Sequence, residues 1–230
     1  MDRKEKNKIK KYLLVQRDLG FDELYLPESS RSPRRLTVKR LSMDKFTEAE
    51  SLEQLEATIK RCKRCPLGKS RTNFVFGVGN PEADIMFVGE APGRDEDMQG
   101  IPFVGRAGKL LDKMLGEVGL DRSDVYITNV LKSRPPNNRD PEPEEVEQCM
   151  PYLSKQIQLI NPRVICCLGR ISAQSILHTK SSLGAMRNRW FDFHGIKLMV
   201  TYHPAAILRT NSYMAAALED FRRLVKTADS

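Results

Sequence analysis

Four short, largely apolar runs, Ile85 to Val88, Val125 to Val130, Val164 to Leu168 and Lys197 to Tyr202, alternate along this 230-residue chain with stretches of helical period. Nothing else in the sequence limits the fold as strongly. A strand without a polar face must be covered on both sides, and strands separated by helices tend to run parallel. The expected architecture is α/β and three-layered, a central mainly parallel four-stranded sheet between helices. The helices are expected at Leu52 to Cys62, Gly108 to Val118, Pro143 to Ile160, Ser172 to Leu177 and Asn211 to Lys226. Ligands of such sheets sit outside the carboxyl ends of the strands. That rule singles out Gly89-Glu90-Ala91-Pro92-Gly93, Asn129, Gly169 and His203-Pro204.

The loop from Gly89 to Gly108 is long and rich in glycine, proline and acid. Gly89, Ala91 and Gly93 allow tight turns whose amides can face a carbonyl-rich ligand, and the loop has neither the dinucleotide nor the Walker spacing. Asn129 offers a donor and an acceptor together, which suits reading the edge of a pyrimidine. Phe103 can stack on a base. A lone histidine is more often structural, and His178 and His194 are read that way; His203, held by Pro204 just past a buried strand, is the exception. Lys132, Arg134 and Arg139 surround Pro135-Pro136 in a basic loop suited to phosphates, and Arg187, Arg189 and Arg209 add positive charge.

The net charge of +8 favours a polyanionic partner. Residues 1 to 48 carry 13 Lys and Arg against 8 Asp and Glu, and the remainder 25 against 22. Contact with a polyanion is therefore expected at a local patch of a domain spanning 49–230. The segment 1–48 is expected to be accessory: a helix over 3 to 19, then a basic Ser/Pro/Arg linker over 28 to 40. No apolar run reaches the roughly 18 residues of a membrane span, so a cytoplasmic protein without a membrane partner is expected. The five cysteines point to metal or redox use before disulfides. Cys62 and Cys65 form a C-x-x-C and Cys149 can supply a third thiolate, while Cys166 and Cys167 lie in a strand with opposite-facing side chains and read as core.

Taken together, CKRCPL, FGVGNPEADIMFVGEAPGRDED, PFVGRAGKLL, YITNVLKSRPPNNRDPEPEE and TYHPAAILR form an ordered series from about Leu52 to Val225. In that series the chain resembles the family 4 uracil-DNA glycosylases, the iron-sulfur branch of their superfamily. The resemblance implies a uracil flipped from single- or double-stranded DNA into a pocket, hydrolysis of its N-glycosidic bond, and a monomeric repair enzyme. It implies Glu90 and His203 as catalytic residues, with Asp95, Glu96 and Asp97 as weaker candidates for the work of Glu90, Phe103 as the stacking ring and Asn129 as the reader of the uracil edge. The segment 1–48 would then serve as a DNA-binding arm or a docking point for a repair partner. Ile207 or Leu208 would wedge into the duplex and Arg209 would grip phosphate.

The resemblance also implies a 4Fe-4S cluster held by Cys62, Cys65 and Cys149, with a fourth cysteine where this chain has Ser133. A serine oxygen is a harder and less acidic donor than thiolate, so the cluster is expected to be weakened or lost. Three rivals follow: a non-catalytic uracil-DNA binder, a family 5-like enzyme of broader base range, and a redox protein built on the C-x-x-C. The presence of Glu90 and His203 opposes the first, and Glu90 tilts against the second. A superfamily branch that traps the sugar through a loop histidine is opposed by the absence of histidine from 132–140.

Overall fold

The computed structural model describes residues 45–229. The helix expected over 3 to 19 and the linker over 28 to 40 lie outside the described residues. Lys45–Glu48 form a short 3-10 turn that sends Phe46 into the core, edge-on to Tyr152 with ring centroids 4.9 Å apart.

Six strands build one sheet: β1 (Val78–Gly79), β2 (Ile85–Gly89), β3 (Tyr126–Asn129), β4 (Val164–Leu168), β5 (Trp190–Phe193) and β6 (Ile196–Thr201), in the spatial order β1-β3-β2-β4-β6-β5. The four strands foreseen from apolar runs are the central ones, and they pair in parallel, β3 with β2, β2 with β4 and β4 with β6. The sheet is nevertheless mixed and six-stranded, because β1 and β5 add antiparallel edges. Neither carries a readable strand pattern. β1 has two residues, and β5 is mostly half-buried without alternation. The turn from β5 to β6 places His194 and Gly195 at φ 53° and 83°, the paired positive values of a two-residue hairpin.

Alternation along the central strands divides the core in two. Met86, Val88, Ile165, Cys167, Leu198 and Val200 face the helices Leu52–Ile59, Pro143–Ile160 and Arg170–Leu177. Ile85, Phe87, Cys166, Leu168 and Met199 face Arg106–Gly116 and Met214–Ala228, whose Leu111, Leu115, Phe221 and Leu224 are wholly buried. Cys166 and Cys167 thus sit on opposite faces as packing residues. Among the described residues no helix is long and apolar enough to cross a membrane.

The strand ends are pinned from beneath. Lys132 has no exposure, and its ammonium donates to Thr128 Oγ1 at 2.7 Å, the Asn129 carbonyl at 2.7 Å and Gln156 Oε1 at 2.6 Å. Thr128 in turn donates to the Phe76 carbonyl, and the Gln156 amide donates to the same carbonyl and to the Tyr126 hydroxyl. Those commitments leave Thr128 and Gln156 only acceptor oxygens to offer the lysine, so all three ammonium protons are matched. Burial pulls the Lys132 pKa down to about 7. A buried cation is tolerable only when bonded this fully.

Candidate active site

At the carboxyl ends of β2, β3 and β6 lies a cleft of about 410 Å³, within the range of small-molecule sites. Its walls include Glu90, Ala91, Gly93, Phe103, Asn129, His203 and Arg209, all singled out by the sequence, together with Glu96, Pro135, Asn138, Arg139, Asp140 and Ala205. A shallower hollow of about 370 Å³ is bounded by Val118, Arg222, Val225, Lys226 and Asp229. None of those residues stands at the carboxyl end of a strand.

His203 caps the short helix Pro204–Arg209. Its Nδ1 accepts the Ala205 amide at 3.1 Å, so that nitrogen bears no proton and the neutral ring carries its hydrogen on Nε2. Burial, with Arg209 as the smaller cause, pulls the imidazole pKa down to about 4. The ring is therefore a neutral donor at physiological pH. Beside it stands Phe103, centroids 5.7 Å apart and planes tilted by 34°.

Asn129 is 2% exposed, and its Oδ1 is the buried side-chain oxygen without a hydrogen-bond partner among the described residues. Orphaned buried acceptors are uncommon because each forfeits a hydrogen bond. One on a pocket wall is matched by a ligand that brings an N–H. Gly89 is packed between this amide and Phe103: a Cβ there would fall on Asn129 Oδ1 and within 2.6 Å of Phe103 Cζ. Gly89→Ala should therefore overpack the pocket floor and lower stability by about 1–3 kcal/mol. Thermal melting of the variant checks it.

The Glu90 carboxyl is pushed up to about 7, first by burial and then by the charge of Asp140, with Arg170 pulling the other way. Arg170 pairs with Asp140 at 3.2 Å. Glu96 is committed differently: it accepts from the Gly93 amide at 3.0 Å, Val104 at 3.0 Å and Gly105 at 2.9 Å. Arg139 stays on the cleft wall but its guanidinium is engaged by the Glu145 carboxylate, with contacts of 2.9 and 2.6 Å. Asp140 and Glu96 carried no decisive sequence signal, since neither burial nor a partner can be read from an acid in a loop.

Three expected DNA contacts need correction. Lys132 faces the interior, held by the three acceptors described above. Arg187 bonds Asp220 at 2.8 Å and lies over the Tyr202 ring at 4.2 Å. Ile207 is 1% exposed and packs in the core, whereas its neighbour Leu208 is 43% exposed. Arg209 is exposed beside the cleft, and Arg134 is half-buried and donates to Asn138 Oδ1 at 2.8 Å on the cleft's rim.

Cys62, Cys65 and Cys149 lie near one another and near Lys132. Cys149 is buried, and burial pushes its thiol up to about 11, with Lys132 pulling the other way and Cys65 and Cys62 as lesser raising causes. Cys62 lies 3.2 Å from the Tyr152 hydroxyl. Ser133 is 3% exposed and accepts from the Arg71 guanidinium at 2.9 Å, while the same guanidinium donates to the Lys60 carbonyl at 2.9 Å. Among the described residues no group of three or more His, Cys, Asp or Glu side chains is arranged to hold a metal ion.

Comparison with known proteins adds the following. Residues 76–223 match the family model of the uracil DNA glycosylase superfamily. The type-4 uracil-DNA glycosylase of Archaeoglobus fulgidus is 49% identical over 183 residues, covering 76% of this chain and 92% of that protein. The type-4 enzyme of Thermotoga maritima is 44% identical over 182 residues, 77% of this chain and 95% of its own. A type-5 uracil-DNA glycosylase of Thermus thermophilus is 31% identical over 157 residues, 54% of this chain and 71% of its own.

Proposed function

Since this chain belongs to the uracil DNA glycosylase superfamily, we propose that its cleft receives a uracil turned out of DNA and cuts it from its sugar. The protein is a uracil-DNA glycosylase of DNA repair, a hydrolase. The observation that carries the assignment of the cleft is the orphan acceptor of Asn129, in a pocket walled by Phe103 and by the neutral donor His203.

Uracil brings an N3–H to Asn129 Oδ1, and the amide nitrogen can return a hydrogen bond to O4. Cytosine has no hydrogen at N3 and would leave the acceptor unpaired. As the bond between C1′ and N1 breaks, its electron pair passes to the base and charge collects on O2. His203 Nε2–H is the donor for that charge. Water completes the reaction: its oxygen bonds to C1′ and one proton passes to the Glu90 carboxylate, which gives it up through solvent to the departing uracil anion, leaving an abasic site, neutral uracil and the carboxylate restored. Outside the cleft, Leu208 is the exposed apolar side chain for a duplex wedge, and Arg209 and Arg134 are the phosphate contacts. Incubation with a uracil-containing oligonucleotide followed by alkali should cleave the strand. No cleavage at any enzyme concentration would overturn the reading. Hypoxanthine and xanthine substrates, run in parallel, measure the base range, with uracil expected to be preferred.

The likeness to the type-4 branch implies an iron-sulfur cluster, but the donors in this chain do not fit a four-thiolate one. Clusters of that kind select thiolates. The fourth position here is a serine hydroxyl already bonded to Arg71. That arrangement ties the C-x-x-C segment to the loop after β3 without metal, and each step above is assigned to side chains of the cleft. Anaerobically purified protein should carry under one iron per chain and little absorbance near 400 nm, and Ser133→Cys should raise both. A full complement of iron in the unaltered protein refutes this.

A further inference from the structure

Seven non-glycine residues among those described have positive φ, and six of them are asparagine or histidine, which tolerate it. The seventh is Phe103, at φ 54°. A bulky residue stays in the left-handed region only when its surroundings over-determine it, and such residues gather at functional sites.

Two charged side chains hold it. Arg122 donates from one guanidinium nitrogen to the Phe103 carbonyl at 2.9 Å and from the other to the Pro102 carbonyl at 2.7 Å, and Asp112 anchors it at 2.8 Å. On the following two residues Glu96 Oε1 takes the Val104 and Gly105 amides, while its other oxygen holds Gly93. The segment thus has its carbonyls gripped by a cation and its amides by an anion. Gly108 completes the fit, because a Cβ there would fall on the Phe103 carbonyl. The result is a ring held beside Gly89 and His203, where it forms one wall of the cleft.

We propose that Arg122 and Glu96 are positioning residues that act on the base pocket through Phe103, fixing its left-handed backbone so that the ring stands ready to stack before a base arrives. The proposal rests on the glycosylase reading for its substrate but not for its geometry. With both oxygens committed to main-chain amides, Glu96 is part of the pocket's frame rather than a second acid beside Glu90. Preorganisation of this kind acts on rate because small misplacements of a reacting group are costly.

Two measurements test it. The first is a double-mutant cycle in kcat/KM for uracil excision, using Arg122→Gln and Phe103→Ala. If Arg122 acts through Phe103, its loss should cost about tenfold with the ring present and less than twofold without it. Equal losses in both backgrounds would overturn the proposal. The second is amide hydrogen exchange at Val104 and Gly105, which should quicken at least tenfold in both Arg122→Gln and Glu96→Gln while amides of β4 stay unchanged. Unaltered exchange also overturns it. Should Arg122→Gln fail to fold, Arg122→Lys serves instead, keeping the charge beside Asp112 without a fork to span two carbonyls. If the unaltered protein excises no uracil, the glycosylase reading falls, and exchange alone decides whether the clamp exists.

Discussion

Replacing His203 with alanine is expected to slow uracil excision by about 10²–10³-fold at saturating substrate, the usual cost of removing one donor from developing negative charge. The expectation follows from a tautomer fixed by the fold. The Ala205 amide occupies Nδ1 at 3.1 Å, so the ring can present only an N–H at Nε2. With its pKa near 4, the imidazole remains neutral throughout the working range. In the proposed mechanism it therefore polarises O2 without having to be charged first, and its pKa leaves no inflection above pH 5. The loss should fall on kcat, because the donor matters most once charge has moved onto the base. Single-turnover rates for His203→Ala and His203→Asn against the unaltered protein check this, and an undiminished rate in both variants would remove His203 from the mechanism.

Glu90→Gln should cost about 10²–10⁴-fold, the range of a positioned general base, and should also change the pH profile and the melting behaviour. With a carboxyl pKa near 7, the working carboxylate forms only as pH rises through neutrality. Excision by the unaltered protein should climb with pH and level off above about 7, and the residual rate of Glu90→Gln should be flat. Stability runs in the opposite direction. The folded pKa lies above the ordinary value of 4.5, so the proton is bound more tightly in the folded state. The stability gained from that is fully present below pH 4.5 and lost as pH rises through 7. Glu90→Gln should therefore melt above the unaltered protein at pH 8 and close to it at pH 5. A variant that melts alike at both values, or whose rate keeps the inflection, would contradict the assignment.

What could be read from sequence was whatever depends on period and position. The four central strands are legible because each is apolar throughout, and the sites of Glu90, Asn129 and His203 follow from their places just past strand ends. The edges were not legible: Val78–Gly79 is too short to show a pattern, and Trp190–Phe193 is half-buried without alternation. The basic residues misled for a different reason. A lysine or arginine is a surface residue by default, and what turns Lys132 and Arg187 inward lies elsewhere in the chain, at Gln156 and at Asp220, 24 and 33 residues away. The same holds for Phe103. Its ring is visible in PFVG, but the cation and anion that grip its backbone, at positions 122 and 96, acquire meaning only when the chain is folded.

The buried ammonium of Lys132 bears on accuracy. Its bond to the Asn129 carbonyl ties the proposed base reader to the helix Pro143–Ile160, through Gln156. Any excursion that moved Asn129 would break one of the three bonds of a buried amine, leaving it an unpaired donor or stripping it of its proton. Cytosine outnumbers uracil vastly in any genome, and a reader able to drift would sometimes accept it. On the proposed reading, the bonds that fix Asn129 are core bonds, so discrimination against the normal base would draw on the same interactions that keep the protein folded.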